Sequence, residues 1–108
     1  MRIVEYLDAA GFSPFRGWFD ALDAHAAAKI TVGLKRIEQG NLSNAKGVGA
    51  GVLEYRIDFG PGYRVYFGHD GVDLVILLAG GTKRRQQRDV DTAQARWADY
   101  KRRKTGVK

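Results

Sequence analysis

The sequence predicts a small α+β domain of order β-α-α-β-β-β-α, an antiparallel meander packed on a helical hairpin. Three observations lead there. Residues 52–79 carry three strand signals in succession, separated by glycine-rich turns. Residues 13–40 carry two apolar stripes at helical spacing, and a third such stripe runs from about Asp89 to Arg103. Strands in one run and helices mostly in others belong to α+β architecture rather than to alternating α/β units.

The elements follow in order. Residues 2–7 are β-branched and aromatic enough for a first strand. Ser13-Pro14 supplies a helix start, with serine as the capping acceptor and proline where a missing N–H costs nothing. Phe15, Trp18, Phe19 and Leu22 then share one face. A second helix runs from about Ala24 to Gln39, with Asp23 as its cap, Ala27, Ile30, Leu34 and Ile37 on one side, and Gly40 as its stop. Residues 41–51 read as a loop in which Gly47, Gly49 and Gly51 alternate, marking either close backbone approach or a flexible segment. No Lys-Ser/Thr pair follows, so it is not a P-loop.

From Val52 to Phe59 the chain alternates, with Leu53, Tyr55, Ile57 and Phe59 on one side and Glu54, Arg56 and Asp58 on the other. Gly60-Pro61-Gly62 turns into Tyr63–Phe67, and Gly68-His69-Asp70-Gly71 reads as a second turn. Val72–Ala79 is nearly continuous and apolar, as in a strand buried on both faces. Gly80-Gly81-Thr82 reads as a turn into a basic segment, and the last helix carries Val90, Ala93, Trp97 and Tyr100 on one stripe. Lys104 to Lys108 reads as frayed. No repeat or linker interrupts residues 1–108, which read as a single domain.

Composition excludes several classes. The 108 residues include no cysteine, so disulfide frameworks and Cys-ligated metals are out, and two isolated histidines, His25 and His69, are a thin basis for any other metal site. No cofactor or metal is expected. The longest apolar run falls far short of the ~20 residues that span a bilayer, and the acidic N-terminal turns are unlike a signal peptide. A cytoplasmic protein without membrane contact is the expectation.

Charge is unevenly spread. Residues 1–82 carry eight bases and nine acids, whereas residues 83–108 carry ten bases and three acids, so the whole net charge of +6 resides in the last quarter. Such a field draws polyanions by releasing their counterions. A solvated tail and a face for an acidic protein are the alternatives.

Arg56 and Arg64 fall on strands joined by a short turn, and Lys83, Arg84 and Arg85 emerge at the end of the next strand. Whether Arg56 and Arg64 share a face depends on pairing parity, which one residue of slip would reverse. Fixed cations on a rigid sheet suit phosphoryl-transfer chemistry, where charge gathers on phosphoryl oxygens. Arginine is too basic to shuttle protons. The candidates for proton transfer are Asp58, Asp89 and Lys83, and none of the histidines sits as a conventional ribonuclease would want. The bland readings are ion pairs for Glu54 and Arg56, a helix cap for Asp89, a solvated turn for Lys83–Arg88, a turn residue for His69, and core or docking faces for Trp18/Phe19 and Trp97/Tyr100.

Two segments carry a resemblance. Glu54-Tyr55-Arg56-Ile57 with Gly60-Pro61-Gly62-Tyr63-Arg64-Val65-Tyr66-Phe67, continued by Leu77-Leu78-Ala79-Gly80-Gly81-Thr82-Lys83-Arg84-Arg85-Gln86-Gln87-Arg88-Asp89, is similar to the RelE/ParE superfamily of toxin–antitoxin killer proteins, in its HigB-like branch. The resemblance covers about residues 3–98. It implies the small RelE-like fold and an addiction-module toxin that cuts mRNA on the ribosome, inhibits translation and arrests growth. Relatives of this fold instead bind DNA gyrase. By position, Arg56 takes the place of a family sheet lysine and Asp58 that of a second lysine. Arg64 matches a phosphate-stabilising arginine, Lys83 another arginine, and Asp89 falls near a base-stacking tyrosine. The resemblance thus implies Arg56, Arg64, Lys83, Asp58 and Asp89 as catalytic residues, with Lys46, Arg84, Arg85, Gln87 and Arg88 contacting RNA. The departures are an acid in a basic position and no aromatic stack unless Tyr66 or Tyr100 supplies it. The implied partners are a helix-turn-helix antitoxin, mRNA and the ribosome, with promoter DNA reached only through the antitoxin complex.

Overall fold

The computed structural model describes residues 1–105, leaving the chain end that the sequence reads as frayed partly outside the described residues. Its elements are β1 (Arg2–Glu5), α1 (Pro14–Asp20), α2 (Ala24–Glu38), β2 (Ala45–Gly47), β3 (Val52–Ile57), β4 (Tyr63–Asp70), β5 (Leu74–Thr82) and α3 (Gln86–Thr105), the last preceded by a 3-10 turn at Lys83–Arg85. The five strands form one mixed sheet in the order β1-β5-β4-β3-β2. β1 runs parallel to β5, and the other neighbours are antiparallel. This is the α+β meander that the patterning predicts, enlarged by one short strand.

The helix starts form where capping chemistry places them. Ser13 Oγ accepts from the Arg16 N–H at 2.9 Å, and Asp23 Oδ1 accepts from the Ala26 N–H at 2.9 Å. The helical hairpin covers one sheet face, where Phe15, Ile30 and Ile37 pack with Tyr55, Val65, Phe67, Val75 and Leu77. On the opposite face α3 lays Val90, Ala93 and Trp97 against Val52, Tyr66, Ile76, Leu78 and Ala79. Residues 75–79 are accordingly buried, because β5 lies inside the sheet and is covered on both sides.

Three expectations need correction. The loop at 41–51 contains β2, which pairs with β3 through Lys46↔Glu54; three residues are too few for an alternation to be read. Gly80, Gly81 and Thr82 continue β5 instead of turning. Their missing β-carbons are used for close packing, since a side chain at Gly80 would collide with the Trp18 indole and one at Gly81 with the Asp89 carboxylate. His69 lies within β4, its ring 5.8 Å from that of Phe67, and not in a turn.

The C-terminal half of α3 is tied down through two acids, its own Asp99 and Asp70 of β4. Asp99 accepts from the Tyr6 hydroxyl at 2.6 Å and pairs with Arg102 and Arg103. Asp70 accepts from the Tyr100 hydroxyl at 2.5 Å and pairs with Lys104. Among the described residues no helix is long and apolar enough to cross a membrane.

Candidate nucleic-acid interface

Sheet register builds the site. Arg56 stands directly opposite Arg64, and Arg64 opposite Gly81, so one row crosses three strands. The neighbouring row is Lys46, Glu54, Tyr66 and Ala79. Adjacent strands lie about 4.8 Å apart, and residues of equal parity share a face. Val52 and Tyr66 pack beneath α3, which places both rows on the α3 side. The parity that the sequence leaves open therefore brings Arg56 and Arg64 together.

Two arginines directly opposite one another repel. The compensating charge is Glu54, whose side chain is 0% exposed. Its Oε1 lies 3.7 Å from Arg64 Nε and 4.0 Å from Lys46 Nζ, and its Oε2 accepts from Gln86 Nε2 at 2.9 Å. Arg64 is itself only 7% exposed and donates from one terminal nitrogen to the Gly62 carbonyl at 3.0 Å. Lys83 joins this corner through its backbone, its N–H donating to the same Gly62 carbonyl at 2.8 Å. Burial pushes the Tyr66 hydroxyl well above its ordinary value, and the nearby Glu54 carboxylate adds to the shift.

Arg56 is the exposed member of the row. With Lys46 and Asp58 it lines a groove of about 330 Å³, completed by Ser43, Asn44 and Ala45. Asp58 is exposed there, just beyond the end of β3. Asp89 lies elsewhere. It sits in the first turn of α3, not at the cap, with its carboxylate against Gly81 and Oδ2 buried without a hydrogen-bond partner. Burial pushes its carboxyl up, against the pull of Arg85, Arg88 and Arg96. Lys83, Arg84, Arg85, Gln87 and Arg88 are exposed around the entry to α3.

Of the two tyrosines offered in place of a base-stacking aromatic, Tyr66 is buried and Tyr100 is half-buried. Tyr66 is 0% exposed, and Tyr100 stacks on Trp97 with centroids 5.3 Å apart, about three turns along α3 from Asp89. Among the described residues no group of histidines and carboxylates converges in a way that could hold a metal ion.

The sequence reading takes Glu54 only as an ion-pair partner and Tyr66 only as a substitute aromatic, and it assigns Gln86 no role. Glu54 carried a signal, sharing the polar side of its strand with Arg56 and Asp58. Nothing in the alternation shows that the start of α3 closes over its end of the strand while leaving Arg56 open.

Two comparisons bear on this arrangement. A family model described as phage derived protein Gp49-like matches residues 17–98, a span that contains both rows and the start of α3. An uncharacterized protein of Haemophilus influenzae is 43% identical over 81 residues, covering 74% of this chain and 82% of the relative.

Proposed function

Because the chain belongs to the phage-derived Gp49-like family, we propose that it is the toxin of a type II toxin–antitoxin pair of the RelE/ParE superfamily, in the HigB-like branch, and that it is a ribosome-dependent mRNA endoribonuclease. The observation that carries this reading is the Arg56–Arg64 row, in which Glu54 compensates Arg64 and leaves the exposed Arg56 to meet a polyanion. Lys46 beside it and the basic entry to α3 extend the same field.

In the proposed reaction the ribose 2′-oxygen attacks the adjacent phosphorus and the 5′-oxygen leaves, giving a 2′,3′-cyclic phosphate and a 5′-hydroxyl. Arg56 and Lys46 hold the scissile phosphate, and Arg64 stabilises the charge that gathers on its oxygens from beneath. Asp58, in the same groove, accepts the 2′-proton, while Lys83 supplies one to the 5′-oxygen. The ribosome presents the strand, translation stops, and a helix-turn-helix antitoxin neutralises the toxin by covering the basic face.

One observation favours a second reading. Arg64 is nearly buried and is charge-compensated by Glu54, as suits a structural pair in a non-enzymatic toxin that binds a protein target such as DNA gyrase. Induction of the protein followed by primer extension separates the two. Discrete cuts in mRNA support the nuclease, and growth arrest with intact transcripts and a DNA-damage response overturns it.

A further inference from the structure

The groove that holds Lys46, Arg56 and Asp58 does not end at Arg56. A second depression, of about 260 Å³, lies between α2 and the end of β3, and it shares Asn44, Arg56 and Asp58 with the first. The cations it adds are Lys29 and Arg36 of α2. Lys46 and Arg56 belong to the α3 side of the sheet, whereas α2 covers the opposite face, so the joined depressions pass around the sheet edge. The passage exists because β2 is short. Its pairing with β3 stops at Ala45↔Tyr55, and beyond that point Asn44 alone flanks β3, its carbonyl accepting from the Arg56 N–H at 3.1 Å.

α2 comes close to the edge at this point because Gly33 carries no side chain. A β-carbon there would stand 3.1 Å from the Ile57 side chain and 3.2 Å from that of Tyr55. Lys29 and Arg36 lie one on either side of Gly33, two turns apart on one face of α2, about 10 Å along its axis. That spacing suits an extended polyanion better than a lone small anion. Both are exposed, and among the described residues neither forms an ion pair. Lys29 rests instead over the Phe59 ring, 5.4 Å from its centroid, which keeps the ammonium at the rim. Across both depressions the lining carries four cations, Lys46, Arg56, Arg36 and Lys29, against one acid, Asp58.

We propose that this continuous path is the track of the RNA strand beyond the scissile phosphate. Lys46 and Arg56 hold that phosphate, and Arg36 and Lys29 hold further phosphates as the strand bends around the sheet edge onto α2. The inference rests on the RNA-directed reading above and deepens it. Asp58, the one carboxylate on the path, lies where the proposed reaction places the 2′-hydroxyl. Contacts to the phosphate backbone position a strand without reading its bases, so the track is indifferent to sequence. Each contact releases condensed counterions, which gives the track a measurable signature in salt.

Fluorescence anisotropy across a potassium chloride series tests this, with a labelled 2′-O-methyl oligouridylate that cannot be cleaved because its 2′-oxygens carry no proton. For a single strand the slope of log K against log salt shrinks by about 0.7 for each phosphate contact removed. Arg36→Gln should therefore reduce it by about 0.7, and the Lys29→Gln, Arg36→Gln double variant by about 1.4. Lys35→Gln removes the same charge from the neighbouring position of α2, which lines a different depression, and should leave the slope unchanged. Equal losses from Lys35→Gln and Arg36→Gln, or none from either, would overturn the track; the RNA reading would stand if Arg56→Ala still weakened binding. Polyglutamate bound as tightly as the RNA, with the same dependence on Arg36, would overturn it in favour of an acidic protein. No binding of RNA at any salt concentration would overturn both the track and the RNA-directed reading.

Discussion

At the scale of single residues the two arginines of the row have opposite experimental value. Arg64→Ala leaves the Glu54 carboxylate buried without its nearest cation, and breaking such a pair costs about 3–5 kcal/mol. A loss of toxicity in that variant would report unfolding as readily as chemistry. Arg56 is exposed, so Arg56→Ala should leave stability within about 0.5 kcal/mol while abolishing growth arrest. Thermal melts beside a growth assay check both statements. Asp89 makes a prediction with a sign. Its carboxyl holds its proton more tightly folded than unfolded, so the folded state loses relative stability as pH climbs from the ordinary 3.8 through the raised value. Asp89→Asn should therefore raise Tm at neutral pH, and the gain should vanish below pH 3.8. In the sequence Arg56, Arg64 and Asp58 could be read as neighbours along a strand and across a turn. Arg64's burial could not, because it depends on a helix beginning twenty-two residues later.

At the scale of elements, capping and alternation were legible and close packing was not. Ser13, Pro14 and Asp23 occupy the positions that local chemistry dictates, and Asp23→Ala should cost about 1 kcal/mol in a denaturant melt. Gly80 and Gly81 look like a turn because glycine usually punctuates, yet they make room for Trp18, far off in sequence, and for Asp89 on the next helix. Trp97 and Tyr100 read as a core or docking face, and they are core: Trp97 is buried and Tyr100 stacks on it. The clamp on the end of α3 is pH-dependent in the opposite sense to Asp89. Hydrogen bonds from Lys104 and Tyr100 hold the Asp70 carboxyl below 3.8, and those from Tyr6 and Arg103 do the same for Asp99. Their contribution is present above 3.8 and is lost as pH falls through the depressed folded values. Acid titration followed by tryptophan fluorescence should show a shallower transition in the Asp70→Asn, Asp99→Asn double variant.

At the scale of the whole molecule the asymmetry of charge becomes an asymmetry of surface. The basic last quarter divides into an entry to α3, exposed beside Arg56 and Lys46, and an exit whose Arg102, Arg103 and Lys104 pair with Asp99 and Asp70. Sequence counting treats both ends alike, and only the fold separates them. The measurement that bears most directly on the central claim is a cell-free translation reaction supplied with the purified protein, in which transcript ends are mapped and their chemistry identified. The account predicts discrete cuts within translated messages that carry 2′,3′-cyclic phosphate and 5′-hydroxyl ends, absent with Arg56→Ala. Intact messages in a reaction that the protein nevertheless inhibits, or cuts unchanged by Arg56→Ala, would contradict it.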